Sequence, residues 1–441
     1  MGRIDKTAGI IIALMIIAIG IFTAIQTPPD IQKIDSDVFQ AVYLIPSDVE
    51  DEIIVHFIIQ SGEADNHYTE GLAHYVEHLA WLNVFQSSGL DSDRHSNAST
   101  MVLSTSYFIS TPRDKFQASL GYIGGVFAPI TLDDAFMREE RGIVQREYEY
   151  RVLGNPTHKI DQEISRLVYN GNRFSRSLIG TPQDITSFSI ADAISLHKTT
   201  HTPANTVVVI YGNLRGINVE KVLAKVFPSV SDIERTAPQI PVDIYPNERV
   251  VLNRVANGIQ QPELHYRKLV TLTEAMSIDV SKAQLSMLFE ILDSSMQGGI
   301  AKPLRYDAFV AQSFSFNIWM LDKNHIELSF TAIPDQGISL DLLLQVFENA
   351  ITTTAEGIPE DTFIRAKDRL LENLQGVSDT RKFAYHAVLN GISVEQEPNN
   401  HIETVALLNN VSQSDVEDLL KIISEPARVV ISFIQPNLIL E

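Results

Sequence analysis

A proline-containing segment near the middle of the chain most constrains its fold, because it separates two blocks of similar length. The segment 228–247 reads PSVSDIERTAPQIPVDIYPN, which holds four prolines and shows no helical period, so it is predicted to be an interdomain linker. On both sides of it, strand-like runs such as 53–60 and 312–320 are mixed with long helical patterns. This mixture predicts two similar α+β domains of mixed or antiparallel sheet packed with helices, over 38–227 and 248–441.

The N-terminus carries an apolar run that is long enough to cross a bilayer. Eighteen residues without a charge lie within 8–26, and as an α-helix they span about 27 Å. A cleaved signal peptide would have a shorter apolar core and an Ala-x-Ala-like site, so we expect a transmembrane anchor between a stub, 1–7, and a polar tether, 27–37. Two basic residues precede the run and only Lys33 follows closely, which favours a cytoplasmic N-terminus and a periplasmic or otherwise extracytoplasmic body.

The composition excludes several classes of function. The 441 residues include 34 Lys plus Arg against 55 Asp plus Glu, and the net charge of −21 has the wrong sign for a sequence-independent nucleic-acid binder. The chain has no cysteine, which excludes disulfides, thiolate metal sites and thiol nucleophiles. Any metal must therefore be held by His, Asp or Glu side chains.

The helical pattern at 69–82 carries side chains that can bind a metal. Its GLAHYVEHLAW sequence places His74, Glu77 and His78 at positions i, i+3 and i+4, so all three share one face. Two imidazoles one turn apart can bind a single Zn²⁺, and a Glu between them can hold a water at the metal without binding the ion. This is H-x-x-E-H, the inverted zinc-protease motif. Taken alone, the same residues are also compatible with a polar, solvated helix face.

A catalytic zinc site needs a third protein ligand from elsewhere in the chain. The helical pattern at 131–153 supplies Glu140 and Glu147, which are seven residues apart and therefore share a face two turns apart. Glu139 and Glu149 are neighbouring alternatives, although a shift of one or two residues rotates the carboxylate off that face.

A second pair of histidines has the same spacing as the first. His197 and His201 are at positions i and i+4, but they lie at a predicted helix end that leads into Thr202 and Pro203, and no acidic residue lies nearby at a matching spacing. We expect them to be surface histidines at a helix C-terminus, favoured there by the helix dipole.

With these motifs the sequence resembles the pitrilysin/insulinase family of zinc metallopeptidases, which includes the mitochondrial processing peptidases. The resemblance extends over about 38–435 and includes the Gly-Glu-Ala-Asp sequence before the motif helix, the helix itself and the Asn-Ala-Ser-Thr sequence after it. It implies the metallohydrolase fold of LuxS and the processing peptidases, in the half-length form of bacterial members, with one Zn²⁺ per chain. It also implies that Glu147 completes the ligand set of His74 and His78, and that Glu140 supports it.

The resemblance further implies how a substrate binds. Asn97 and Ala98 would open an edge strand to which an extended peptide adds as a further strand beside the scissile bond. In the second block, Arg305 matches a family Arg that contacts the substrate, whereas Gln312 stands where the family has a Tyr at the developing oxyanion. A homodimer, or a heterodimer with a related subunit that supplies the Arg and the Tyr, is therefore expected.

Together these features predict a membrane-anchored zinc endopeptidase that hydrolyses extended peptides or unfolded segments. Glu77 would act as general base toward the metal-bound water and then pass the proton to the leaving amine. Two alternatives of the same fold remain: a non-catalytic structural or peptide-binding subunit of a hetero-oligomer, and a membrane-tethered chaperone for extended peptides. No nucleic-acid partner is expected.

Overall fold

The structure is a computed structural model that describes residues 30–88, 96–228, 245–272, 278–322, 324–394 and 396–437. The strands in this part of the chain are β1 Gln32–Ile34, β2 Ala41–Pro46, β3 Glu52–Ile59, β4 Ser96–Thr100, β5 Thr105–Pro112, β6 Thr206–Gly212, β7 Arg249–Ala256, β8 Glu263–Thr271, β9 Ala311–Asp322, β10 His325–Pro334 and β11 Arg428–Pro436. The α-helices are α1 Leu72–Ser88, α2 Phe116–Ile123, α3 Asp134–Tyr148, α4 His158–Val168, α5 Pro182–Ser187, α6 Ile190–Thr200, α7 Val219–Val226, α8 Ile278–Leu292, α9 Leu340–Ala355, α10 Glu360–Gln375, α11 Thr380–Ser393, α12 His401–Asn410 and α13 Gln413–Ser424.

The strands form two mixed sheets with matching strand order. Sheet 1 has the order β1-β2-β6-β3-β5-β4, and sheet 2 has the order β7-β11-β8-β10-β9. In sheet 1, β2 runs parallel to β6 and the other neighbours are antiparallel; in sheet 2, β7 runs parallel to β11 and the others are antiparallel. Strands β3 and β8 are the central strands of the five that match. Helix α1 follows β3 and helix α8 follows β8, so the two helices occupy the same topological position. The predicted pair of similar α+β units with mixed sheets is confirmed.

Each sheet is covered on one face by a helix from the other half of the chain. Helix α4 belongs to the first block, yet its apolar stripe of Ile160, Ile164 and Val168 packs on β7, β8 and β11 of sheet 2. Helix α11 belongs to the second block, yet Tyr385 and Val388 pack on β2, β3 and β6 of sheet 1. Each stripe repeats at about one turn, which is why each helix can cover a flat apolar sheet face. The predicted ranges 38–227 and 248–441 therefore do not separate the chain into two self-contained cores.

The folded body begins earlier than the predicted tether allows. Within the predicted tether 27–37, β1 pairs antiparallel with β2, and Ile34 packs into the core of the first unit. The Arg381 guanidinium of α11 also lies 2.9 Å from the Asp30 carboxylate. Residues 30–37 are thus part of the fold, because their two isoleucine side chains pack against apolar clusters of the first unit.

Several of the predicted segments lie wholly or mostly outside the described residues. These are the stub 1–7, the transmembrane anchor 8–26 and, apart from a few residues at its two ends, the linker 228–247. Among the residues that the structure describes, no helix combines the length and the apolar character needed to span a bilayer.

Candidate metal centre

Two residues determine the start of helix α1: the buried Glu63 carboxylate and Gly71. The Glu63 carboxylate accepts hydrogen bonds from the backbone N–H of Gly71, at 3.0 Å, and from that of Ala73, at 3.4 Å, and it is held in place by the Arg176 guanidinium. A negative charge at this end is favoured by the helix dipole. Gly71 has φ +84°, and a Cβ there would lie 2.4 Å from the backbone of Ile179, so a larger residue does not fit.

Helix α1 directs its two histidines at one point, as the motif predicts. His74 and Glu77 are buried, and the Nε2 atoms of His74 and His78 are 3.1 Å apart. The opposite side of the helix is anchored in the core by apolar side chains such as Tyr75 and Leu79. A polar face that is buried rather than solvated excludes the interpretation of these residues as an ordinary exposed helix surface.

Helix α3 packs against α1 and brings both predicted carboxylates to this point. The Glu140 carboxylate accepts a hydrogen bond from His78 Nδ1 at 2.7 Å. The Glu147 Oε2 atom lies 3.5 Å from His74 Nε2 and 3.8 Å from His78 Nε2. The alternative carboxylates, Glu139 and Glu149, are exposed.

The residues present fit a bound Zn²⁺. The donor atoms of His74, His78 and Glu147 all lie within 4.8 Å of one another. Glu147 Oε2 is buried and accepts no hydrogen bond from the described residues, which is costly for a carboxylate oxygen unless a cation binds it. Nδ1 of His78 donates to Glu140, so Nε2 is the ring nitrogen left for a metal ion. Burial opposes protonation of His78, but the hydrogen bond to Glu140 prevails and raises its pKa above the ordinary value, so a zinc ion would take the place of the Nε2 proton. Burial lowers the pKa of His74 to about 3, so His74 is neutral. Two imidazoles and one carboxylate are typical ligands of a zinc site that keeps a further position open.

Glu77 lies beside the three candidate ligands without belonging to them. It is buried, and burial raises the pKa of its carboxyl group to about 7, although the charge of His78 and a hydrogen bond from Thr100 oppose that rise. The Thr100 hydroxyl donates to Glu77 Oε2 at 3.1 Å. A carboxyl group whose pKa is near neutral can both accept and return a proton under physiological conditions.

The predicted substrate residues lie on the outer strand next to α1. Strand β4, which contains Asn97 and Ala98, is the last strand of sheet 1 and pairs only with β5 among the described strands. Asn97 is exposed and Ala98 is half-buried. Since Thr100 ends the same strand and donates to Glu77, the open edge of the sheet lies directly beside the candidate site.

Arg305 is not brought into this cluster. It lies on a π-helical turn, Lys302–Asp307, in the second unit, where its side chain is exposed. Gln312, at the second residue of β9, is also exposed. Neither side chain has a hydrogen bond or ion pair to the histidine cluster among the described residues.

The second histidine pair is not at the surface, so that expectation was wrong. His197 and His201 are both buried; Nε2 of His197 lies 2.8 Å from the Val126 carbonyl oxygen, and Nε2 of His201 lies 2.8 Å from the Tyr107 hydroxyl. Burial lowers the pKa of both imidazoles, so they are neutral hydrogen-bonding groups of the core.

Two residues near the cluster were not identified from the sequence. Thr100 belongs to the Asn-Ala-Ser-Thr sequence, but its contact with Glu77 depends on the pairing of β4 with β5, which the sequence does not show. Arg151 follows Glu147 by four residues, and its Nη2 lies 3.7 Å from Glu147 Oε2. An i, i+4 spacing from the last carboxylate is the one signal that could have indicated Arg151.

The first of the two α+β units contains an H-x-x-E-H helix, α1, and α3 brings two carboxylates to it. This fold and site are those of a zinc-protease-like protein. Comparison with known families agrees: the family described as Insulinase (Peptidase family M16) matches residues 42–182, and the Peptidase M16 inactive domain matches residues 187–370. The chain belongs to the insulinase family, peptidase family M16, which confirms the resemblance. The described metal-ligating cluster lies within 42–182, and none of its residues falls in the match to the inactive domain.

Relatives and solved structures agree with this membership. Zinc protease PqqE of Helicobacter pylori is 24% identical over 272 residues, which cover 58% of this chain and 59% of PqqE, so the match spans less than two thirds of that relative. The mitochondrial-processing peptidase subunit beta of Caenorhabditis elegans is 22% identical over 333 residues, 72% of this chain and 70% of that subunit. The first half of the periplasmic protease PqqL from Escherichia coli has a TM-score of 0.76 at 13% identity and covers 92% of each chain, which shows the shared fold.

Proposed function

We propose that this protein is a zinc-dependent endopeptidase that hydrolyses extended peptides or unfolded segments of proteins. The observation that carries the proposal is the convergence of His74, His78 and Glu147, with one unbonded carboxylate oxygen, beside the buried carboxyl group of Glu77. His74, His78 and Glu147 would hold the zinc. Glu140 would orient His78 through the hydrogen bond to Nδ1 and so keep Nε2 directed at the metal.

The proton transfers are assigned to Glu77. When bound, zinc supplies a Lewis acid that polarises the peptide carbonyl and lowers the pKa of water. The Glu77 carboxylate takes a proton from the attacking water as the water oxygen bonds to the carbonyl carbon, and later gives that proton to the leaving amine nitrogen. Thr100 fixes the Glu77 carboxylate by donating a hydrogen bond to Oε2, so that the proton acceptor is oriented before substrate arrives.

Substrate would bind along the free edge of β4. An edge strand offers unpaired N–H and C=O groups, so an extended peptide can add to it with little dependence on side chains. Asn97 and Ala98 lie on this strand two to three residues before Thr100, which contacts Glu77. A peptide paired there runs past the general base, which supports extended segments as the substrate class.

Two features of the whole protein are part of the same proposal. We expect residues 8–26 to anchor the chain in a membrane with the body on the extracytoplasmic side, because the run is uncharged and basic residues precede it. We also expect a homodimer or a heterodimer with a related subunit. The exposed Arg305 makes no described contact with the histidine cluster of its own chain, and a partner subunit could place its corresponding arginine there. Alkaline extraction of membranes and native mass spectrometry of the full chain test the two points separately.

The peptidase activity is tested by metal removal and return. The full chain is purified, depleted of metal with a chelator and assayed with a set of quenched fluorogenic peptides before and after addition of Zn²⁺. The proposal expects cleavage that disappears on depletion and returns with about one equivalent of Zn²⁺. Zinc-independent cleavage, or peptide binding without cleavage in the zinc-loaded chain, would contradict it, and the second result would support the non-catalytic peptide-binding alternative.

A further inference from the structure

Arg151 places a guanidinium group at the rim of the candidate metal centre. It lies on a π-helical turn, Glu149–Leu153, that continues α3 directly after Glu147 and Tyr148. Its Nη2 is 3.7 Å from Glu147 Oε2, which is itself 3.5 Å from His74 Nε2. Short π-helical segments within α-helices are concentrated at functional sites, because they displace side chains from the regular helical positions.

The hydrogen-bonding capacity of this guanidinium is unused. The 3.7 Å separation from Glu147 is longer than a hydrogen bond, and Arg151 donates no hydrogen bond to any residue that the structure describes. Its side chain is 60% exposed, whereas the Glu77 and His74 side chains nearby are buried. A guanidinium carries five N–H donors in a planar fork. These donors are therefore open to a group that enters from solvent beside Glu77 and the histidines.

Among the residues that the structure describes, neither Arg305 nor Gln312 donates a hydrogen bond at the histidine cluster. Arg305 is exposed without a described contact to the histidine cluster, and Gln312 is a neutral amide on an exposed strand position. Hydrolysis of a peptide nonetheless develops negative charge on the carbonyl oxygen, and preorganised donors at that oxygen commonly account for a large part of the rate. A cation already positioned at the metal centre can meet this requirement.

We propose that Arg151 binds the carbonyl oxygen of the scissile peptide bond and stabilises the oxyanion that forms there; this inference rests on the proposed peptidase function. When water attacks, its oxygen bonds to the carbonyl carbon, one of its protons goes to Glu77, and the carbonyl electron pair moves onto the oxygen that faces Arg151. On collapse that pair reforms the C=O bond, the C–N bond breaks, and the Glu77 proton passes to the nitrogen. Arg151 is thus a catalytic residue of the chain that also holds the metal.

The test compares Arg151 with a matched arginine on the same helix. Arg138 forms an i, i+4 ion pair with Asp134 at 3.9 Å, and its side chain is 55% exposed, so Arg138→Gln removes a similar surface pair that involves no residue of the histidine cluster. We would measure kcat, KM, zinc content and melting temperature for zinc-loaded full-length wild type, Arg151→Gln, Arg151→Lys, Arg138→Gln and Glu77→Gln, using one quenched peptide that the wild type cleaves.

We expect Arg151→Gln to lower kcat by about 100- to 1,000-fold while KM, zinc content and melting temperature stay at wild-type values. Arg151→Lys keeps the charge but not the planar fork, so it should recover part of kcat, and Arg138→Gln should match wild type. Three results overturn the inference: an unchanged kcat in Arg151→Gln, a loss that follows loss of zinc, or an effect confined to KM.

The two proposals can fail separately in this experiment. If zinc-loaded wild type cleaves no peptide of the fluorogenic set, or if Glu77→Gln cleaves as fast as wild type, the proposed peptidase function is contradicted and the inference falls with it. If wild type cleaves, Glu77→Gln does not, and Arg151→Gln cleaves as wild type does, the function stands and only the role of Arg151 is wrong.

Discussion

The two units of this protein share a strand arrangement and differ in the side chains between one pair of helices, α1 and α3 in the first unit and α8 and α10 in the second. Sheets 1 and 2 have the same strand order and directions over five strands, with β1 added only to the first. In the first unit, α1 and α3 meet through His78 and Glu140. In the second unit, α8 packs with α10 in an apolar cluster that includes Phe363 and Ala366. Apolar packing joins both helix pairs, because α1 and α3 also share a cluster that includes Leu79 and Val144. The chemistry of the first unit therefore depends on a few polar side chains added to a shared packing.

Helices α4 and α11, each of which covers the sheet of the other unit, differ in the groups that hold them there. Helix α4 is held on sheet 2 by charged groups: His265 lies between the Asp161 carboxylate of α4 and the Glu263 carboxylate of β8, each at 2.9 Å. Helix α11 is held on the first unit by aromatic packing and by the Arg381–Asp30 ion pair, and its histidine contact on sheet 1 is a neutral pair, Tyr385 Oη and His56 Nε2 at 2.6 Å. Matched positions in the two units are therefore stabilised by interactions with opposite responses to pH.

The largest expected effect comes from removing the proton acceptor that only the first unit has. Glu77→Gln should lower the turnover of peptide by about 100- to 10,000-fold, because general base catalysis is lost. Zinc content should stay at the wild-type level, since Glu77 is not among the three candidate ligands. Single-turnover cleavage together with metal analysis checks both statements; cleavage at the wild-type rate would contradict the assignment.

A smaller effect is expected when the contact between α1 and α3 loses its charge. Glu140→Gln weakens the hydrogen bond that orients His78, so zinc affinity should fall about 10- to 100-fold. The neighbouring Glu139 is exposed, and Glu139→Gln is the matched control that should leave the affinity unchanged. Competition with a zinc chelator measures both values, and equal affinities for the two variants would count against the role of Glu140.

His265→Gln should break the charged contact of α4 and destabilise the fold by about 1–3 kcal/mol near pH 6. Burial opposes protonation of His265, but its hydrogen bonds to Asp161 and Glu263 prevail and raise its pKa to about 9. Because this value lies above the ordinary 6.5, the stabilisation is fully present below pH 6.5 and is lost as the pH rises through 9. Denaturant unfolding at pH 6 and pH 9.5 should show the difference between wild type and variant shrinking at the higher pH.

The smallest effect is expected at the neutral contact between His56 and Tyr385 of α11. There the pH dependence of stability has the opposite sign to that of His265. Burial lowers the pKa of His56 to about 4, so the unfolded chain binds a proton at this site more readily than the folded one. Its contribution to stability is therefore retained above pH 6.5 and falls by on the order of 1 kcal/mol as the pH drops toward 5. His56→Gln should remove that slope; a slope that persists in the variant would assign it to other groups.

Sequence patterns predict the local part of this architecture well. The His74, Glu77 and His78 spacing and the seven-residue separation of Glu140 and Glu147 depend only on the helical period. The structure places the donor atoms of His74, His78 and Glu147 within 4.8 Å of one another and Glu140 against His78. The two-unit α+β organisation also follows from the local alternation of strands and helices.

Features that depend on distant contacts were not predictable in this way. The exchange of α4 and α11 between the units is set by which apolar face each stripe meets, and nothing in either helix sequence specifies the sheet. His197 was expected at the surface, but the Val126 carbonyl oxygen that accepts its hydrogen bond is seventy-one residues away. The i, i+4 spacing of Arg151 from Glu147 does not by itself place the guanidinium beside the histidines, because that depends on the packing of α3 against α1.

The zinc content of the purified full chain is the measurement that bears on the metal centre itself. Native mass spectrometry would be applied to wild type, Glu147→Gln and the exposed neighbour Glu149→Gln, each equilibrated with the same free zinc concentration. We expect one zinc per chain in wild type and in Glu149→Gln, and its loss in Glu147→Gln, because the unbonded oxygen of Glu147 completes the ligand set. A wild-type chain without zinc, or a Glu147→Gln chain that keeps zinc as firmly as wild type, would contradict the proposed metal centre.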